Sequence, residues 1–337
     1  MSSGLPPTPQ SPGNRKKGPK TLPKLPLSAF SPPNTGTSEK FPLAPSPSTV
    51  HPEKVVDANV RDIDLTRWKA EAGPVLGNLI GGIVVSLPKV DAELVSKLSA
   101  DKSLTSLVLP FSLDDTEHAA ASVLSNSPVR VSLVTTFTKA TPQAVNSLKW
   151  ALGQGRPVDI DIHAPLSDDV FEGLEDLLAK ARADIPSVPP IILSNLLPPP
   201  DQLELPLVKL MNHPTYRTFQ AQIAALSLIP EVYIKYLPPS WNTAAPATPS
   251  DASPSLESAE AKQNKEWKRR IKMYLGPVME AFGYQRIIFG SASSASTRSS
   301  LTAGAWYEIA RESLAELGVE QEAVDAVFSL TALKVYG

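Results

Sequence analysis

Residues 129–163 read VRVSLVTTFTKATPQAVNSLKWALGQGRPVDIDIH. A β-branched run, 129–136, opens the stretch, and a second, 158–163, closes it. Between them Thr141-Pro142 starts a pattern with apolar residues three and four apart, which runs to Gly153. Proline just inside a helix start costs no hydrogen bond, because the first amides have no partner there anyway. The reading is strand, helix, strand. A helix between two strands is the connection that parallel strands need.

The same alternation repeats outward in both directions. Strand candidates fall at 54–59, 80–87, 104–110, 129–136, 158–163, 190–195, 231–236 and 286–291. Helical patterns fall at 90–99, 114–125, 141–153, 167–183, 213–228 and 260–282, with two more at 304–317 and 320–335. The link 61–79 is expected to hold one helix over Leu65–Val75, broken at Pro74. Eight strands alternating with helices predict an α/β protein of the (β/α)8 TIM-barrel type, whose usual size is about 250 residues. An open doubly wound sheet is the alternative, but no Gly-x-Gly-x-x-Gly follows a strand.

Composition bounds the rest. The chain has 337 residues, 35 prolines, no cysteine and 4 histidines. Without cysteine there are no disulfides, thiolate metal sites or thiol nucleophiles. The formal charge of -2 gives no electrostatic reason to bind nucleic acid or an anionic membrane. No apolar run reaches the roughly 18 residues of a membrane span. Residues 1–52 hold 13 of the prolines and are basic, and they are expected to be a disordered tail preceding a barrel at 53–337. Arg15-Lys16-Lys17 with Lys20 is a weak nuclear address on a chain otherwise expected to be cytoplasmic. The prolines also offer polyproline segments to an SH3- or WW-type partner. A second low-complexity stretch, 238–259, follows the seventh strand, where a barrel places the loops of its functional face.

Side chains alternate across a strand. Asp159, Asp161 and His163 therefore share the face opposite Val158, Ile160 and Ile162. Asp57, Asn59 and Arg61 alternate with Val56, Ala58 and Val60. Arg130 and Lys235 fall on inward positions of their own strands. Unpaired buried charges are costly, so ion pairs are expected inside the barrel, Arg130 with Asp159 or Asp161 first. His51 is placed in a linker, His118 on a solvated helix, and His213 at a helix start. His163 is the histidine at an inward strand end.

Several segments carry a resemblance. Phe282–Ser291 (FGYQRIIFGS) is similar to the "FGxxRxxFGSD" strand of the amidohydrolase-related family, the "amidohydrolase 2" group of metal-dependent hydrolases and decarboxylases. Trp306 and the helix through Leu317 match its next helix. Glu320–Gly337 is similar to the closing "EExxxIxxxNAxxxYG" helix, Pro230–Lys235 to "PNVYVK", and Val55–Arg61 to "VVDAHVH". The resemblance covers most of 54–337, strongly at the C-terminal end and patchily through 61–157. It implies a TIM barrel, a zinc or other divalent ion, and hydrolysis of a lactone, ester or amide. The chain departs from the pattern at the chemistry. Asn59 and Arg61 stand for the two histidines, Asn195 for the histidine of the sixth strand, Ala292 for the aspartate and Thr331 for an asparagine. An amide is a poor ligand and a guanidinium repels a cation.

The expectation is a degenerate, metal-free barrel, a pseudoenzyme acting as a binding or regulatory protein without cofactor. The alternative is a hydrolase using His163, with Asp161, as general base. Asn59, Arg61, His163, Asn195, Lys235, Ser291 and Arg298 are the candidate ligand-binding residues. Arg61, Lys139, Lys235 and Arg298 are the candidates for holding a small anion at the mouth.

Overall fold

The computed structural model describes residues 46–199, 205–241 and 259–337. The basic cluster, the polyproline segments and residues 242–258 of the expected insert lie outside the described residues.

Eight strands form one parallel sheet in sequential order. They are β1 (Val55–Val60), β2 (Ile80–Ser86), β3 (Leu104–Pro110), β4 (Val131–Phe137), β5 (Val158–Ile162), β6 (Ile191–Leu197), β7 (Val232–Tyr236) and β8 (Ile287–Phe289). Each β-branched run of the sequence is one of these strands. The links carry α1 (Leu65–Leu79), α2 (Ala92–Leu98), α3 (Ala120–Asn126), α4 (Pro142–Gly153), α5 (Asp168–Arg182), the short α6 (Leu207–Leu210), α7 (Pro214–Ser227) and α8 (Ala259–Phe282). After β8 come α9 (Ala303–Ala315), α10 (Gln321–Asp325), a π-helical turn at Ala326–Leu330 and α11 (Thr331–Tyr336). The sheet curls into a nearly closed barrel. At the seam, just past β8, the Ala292 N–H donates to the Asn59 carbonyl at 3.1 Å. The Asp57 carboxylate accepts from the amides of Asn59 and Ser291 at 3.1 and 2.9 Å.

Two apolar clusters follow from alternation. Val158, Ile160, Ile162, Leu193 and Ile234 pack outward against the helices. Val56, Ala58, Val84, Val108, Ile192, Tyr233 and Ile288 fill the lumen. Burying both faces of the sheet this way needs the closed barrel, since apolar area removed from water is the main favourable term. The π turn divides the closing helix between the clusters. Val324, Val327 and Phe328 join the outer one, while Ala332, Val335 and Tyr336 join the lumen. The C-terminus thus plugs the barrel from the N-terminal ends of the strands.

The described fold takes in residues ahead of 53: the carbonyls of Pro47, Ser48 and Val50 accept from the buried Arg311 guanidinium. Three local expectations are corrected. The break in α1 sits at Gly73, with φ 66°, one residue before Pro74. Proline disfavours helical geometry in its predecessor, and glycine alone takes the positive φ cheaply. Of 114–125 only the second half is helical, because the Asp115 carbonyl is instead held by Gln143 and Ser147 of α4. In β1 the pairing with β2 is irregular between Asp57 and Val60. That irregularity shifts the phase, so Val60 faces the helices while Val56 and Ala58 face the lumen. Among the described residues no helix is long and apolar enough to cross a membrane.

Candidate functional site

The C-terminal ends of the strands meet the loop that follows β8, residues 290–302. Strand-end side chains hold this loop by its backbone. The Asn59 amide nitrogen donates to the carbonyls of Ala292 and Ser293 at 2.7 and 3.2 Å. Arg61 donates to the Ser294 carbonyl at 2.7 Å. The Asp161 carboxylate accepts from the Ser296 N–H at 2.9 Å and from the Asn195 amide at 2.7 Å. The same Asn195 nitrogen reaches the Ile162 carbonyl at 3.2 Å and the Ser296 hydroxyl at 2.7 Å. Asn195 adopts φ 65°, a left-handed conformation that asparagine tolerates better than most residues. That turn aims its amide across the mouth.

Beneath the loop lies a cavity of about 240 Å³, with Asn59, Arg61, Asp159, Asp161, Ser194, Lys235 and Ser294 among its lining. Lys235 and Asp159 form its charged floor. Their Nζ–Oδ2 distance is 2.5 Å, and both side chains are nearly inaccessible, at 1% and 2% exposure. Lys235 also reaches the Asn59 Oδ1 at 3.4 Å. The other Asp159 oxygen accepts from the Tyr336 hydroxyl at 2.6 Å. Burial, and then the Asp159 charge, hold the Tyr336 phenol well above its ordinary range, so it stays a proton donor. Behind the seam, burial raises the Asp57 carboxyl despite hydrogen bonds from Ser291 and Asn59.

The residues singled out in the sequence separate here. Asn59, Arg61, Asp161 and Lys235 line the cavity, and Asn195 and Ser291 lie close to it. Asn195 braces the loop. Ser291 is buried behind the lining, where its hydroxyl accepts from the Trp68 indole at 3.3 Å. His163 sits one residue past the end of β5 with its side chain exposed, and Arg298 and Lys139 are exposed as well. None of these three lines the cavity.

Arg130 corrects the expected ion pair. It lies before β4 at the opposite end of the barrel, whereas Asp159 and Asp161 pair with Val134 and Thr136 higher on that strand. Alternation gives the face of a side chain and not its height. His118 stacks on Trp150 with centroids 3.8 Å apart, and burial lowers its pKa. It is not the solvated histidine expected. His51 meets the Tyr307 hydroxyl at 3.4 Å, and His213 begins α7 without a side-chain cap. Tyr336 was not singled out, although it stands in the closing motif. Helical spacing does not reveal that it enters the lumen.

The donor set does not fit a divalent cation. Zinc wants three or more lone-pair ligands from histidine, cysteine or carboxylate. Among the described residues no three such groups cluster. At the mouth, Asn59, Arg61 and Asn195 present hydrogen-bond donors, and the Lys235 ammonium occupies Asp159.

The fold is an eight-stranded parallel α/β barrel with its polar site at the C-terminal strand ends. It is shared with an amidohydrolase from Burkholderia multivorans solved with bound zinc, at TM-score 0.54 and 13% identity over 84% of this chain and 99% of that one. It is also shared with a putative 2-pyrone-4,6-dicarboxylic acid hydrolase from Pseudomonas putida, at TM-score 0.55 and 15% identity over 84% and 97%. No family model and no curated protein sequence matches the chain. At these identities the likeness establishes the fold: the barrel implied by the sequence motifs is the one observed.

Proposed function

We propose that this amidohydrolase-fold barrel works as a metal-free binding protein whose mouth takes a small ligand with an anionic group. One observation carries the reading. The strand-end positions at which the resembled family keeps its metal ligands are occupied by groups already spent on the loop after β8. Asn59, Arg61 and Asn195 all donate, to main-chain carbonyls, to a carboxylate or to a hydroxyl. N–H donors at these positions, with the Arg61 guanidinium among them, favour an anionic ligand.

The charges at the mouth support a seat for that anion on Arg61. Asp159 is met by Lys235 and Tyr336, and Asp161 by Asn195 and the Ser296 amide. Arg61 spends one nitrogen on the Ser294 carbonyl, and its other guanidinium nitrogens have no protein partner among the described residues. Like Asp161, whose partners are neutral, it is a charge of the lining that no opposite charge among the described residues meets, and its free nitrogens are exposed.

The test combines elemental analysis of purified protein with thermal-shift titrations of small carboxylates. The expected result is no stoichiometric metal and a carboxylate-dependent rise in Tm, since a ligand of the folded state stabilises by mass action. Arg61→Gln abolishes the rise. Stoichiometric zinc or manganese held at the strand ends overturns the reading.

A further inference from the structure

A lysine on an inward strand position needs a partner for its charge, and Lys235 has one in Asp159. The pair is almost fully buried, yet both residues line the 240 Å³ cavity, with Ser194 and Asn59 beside them. The amine has a carboxylate at 2.5 Å to take a proton, and that carboxylate is braced on its other oxygen by the Tyr336 hydroxyl at 2.6 Å. Arg61 stands on the lining with free donors. A nucleophilic nitrogen and a proton acceptor are what condensation with a carbonyl compound requires, and the guanidinium beside the cavity suits a carboxylate on that compound.

The geometry points to Lys235 as an imine-forming residue, and to a small 2-oxo acid as the ligand class, its carboxylate on Arg61 and its carbonyl carbon at the Lys235 Nζ. This rests on the mouth-binding reading above. In the first step the ammonium passes one proton to the Asp159 Oδ2. The freed lone pair forms the C–N bond, and the carbonyl oxygen takes a second proton from the attacking nitrogen. The resulting carbinolamine breaks its C–O bond as Asp159 returns its proton, releasing water. Ammonium and carbonyl thus become protonated imine and water: one of the three nitrogen protons stays and two leave in the water, with the charge unchanged. The iminium then faces the Asp159 carboxylate, as the ammonium did. No metal and no second reagent is needed.

Borohydride reduces an imine to a stable secondary amine, so the full-length wild-type protein provides the test. It is incubated with pyruvate and sodium cyanoborohydride, then read by intact mass and peptide mapping. The expected result is one adduct per chain, on Lys235. Asp159→Asn slows its formation by on the order of 10²-fold, the usual worth of a positioned proton acceptor. Because mapping is done on the wild-type chain, a Lys235 variant that fails to fold does not cloud the result. Adducts on surface lysines alone overturn the inference. Pyruvate that raises Tm without a Lys235 adduct overturns the imine and leaves mouth binding standing. No thermal response to any small carboxylate, together with no adduct, overturns both.

Discussion

Lys235→Met isolates the buried pair. The substitution keeps an unbranched four-atom stem and removes the ammonium from the Asp159 Oδ2, leaving a carboxylate at 2% exposure with the Tyr336 hydroxyl as its remaining strong partner. Removing one member of a buried pair typically costs about 3–5 kcal/mol, because the other charge is left uncompensated. At roughly 2–4 °C per kcal/mol for a domain of this general size, Tm falls by on the order of 10 °C. The double variant Lys235→Met/Asp159→Asn removes both charges, and its amide oxygen still accepts from Tyr336. It is expected to recover at least about 2 kcal/mol of that loss, within the range of coupling energies for residues in direct contact. Urea unfolding followed by far-ultraviolet circular dichroism, with differential scanning fluorimetry alongside, reads all members of the cycle. A single variant within about 1 kcal/mol of wild type would refute the reasoning, and so would a double variant less stable than the sum of the singles. Either result would mean that the pair is solvated and does not act as a buried charge pair.

Asn195→Ala loses the amide that braces Asp161 and Ser296 and puts alanine at φ 65°; the cost is roughly 2–4 kcal/mol, of which Asn195→Gly saves about 1 because glycine accepts that φ. Both variants are expected to speed amide exchange across 292–297, and unchanged protection there would show that Asn195 does not hold the loop. Gly290→Ala places a Cβ 2.5 Å from the Asn59 Cβ and 2.8 Å from the Leu237 Cδ2; overpacking at the seam costs about 1–3 kcal/mol in urea melts, and a neutral result would mean that the seam yields easily. Asp57→Asn tests the buried acid: with its folded pKa raised, Asp57 favours folding fully only below its unfolded value near 3.8, and the advantage is lost as pH rises through the folded value. The stability of the variant relative to wild type therefore climbs from pH 4 to pH 8, and a difference independent of pH is the result that counts against it.

The strands were legible because a sheet buried on both faces needs β-branched runs, and the eight runs stand out between helical patterns. The polar face of β5 was legible too, since VDIDIH separates Asp159 and Asp161 from the apolar positions cleanly. What was not legible depends on closure. Asp159 meets Lys235 across 76 residues and Tyr336 across 177. No local spacing encodes which of several inward charges will lie level with one another. Arg130 shows the consequence, being on an inward phase but at the far end of the barrel. Phase itself fails where pairing is irregular, as at Asp57–Val60, and where a strand ends, as with His163 beyond Ile162. The grip on the loop after β8 was hidden for another reason: its acceptors are the backbone carbonyls of Ala292, Ser293 and Ser294, and carbonyls have no signature in a sequence.

Read together, the departures from the family motif have one physical sense. The resemblance implies lone-pair donors converging on a cation, each needing a free pair directed at the mouth. Asn59, Arg61 and Asn195 turn N–H groups toward the mouth instead. Such groups must be satisfied where they are buried, since an unpaired one costs about 1–3 kcal/mol. The nearest acceptors are the carbonyls of the loop after β8, and that loop carries Ala292, a side chain too small to stand in their way. The donors and the loop thus form one arrangement: the loop lies against the strand ends through its carbonyls, and the donors are satisfied because it lies there. Lys235 lies one layer down: its ammonium meets the Asp159 charge from within the protein and places a nitrogen at the floor of the cavity.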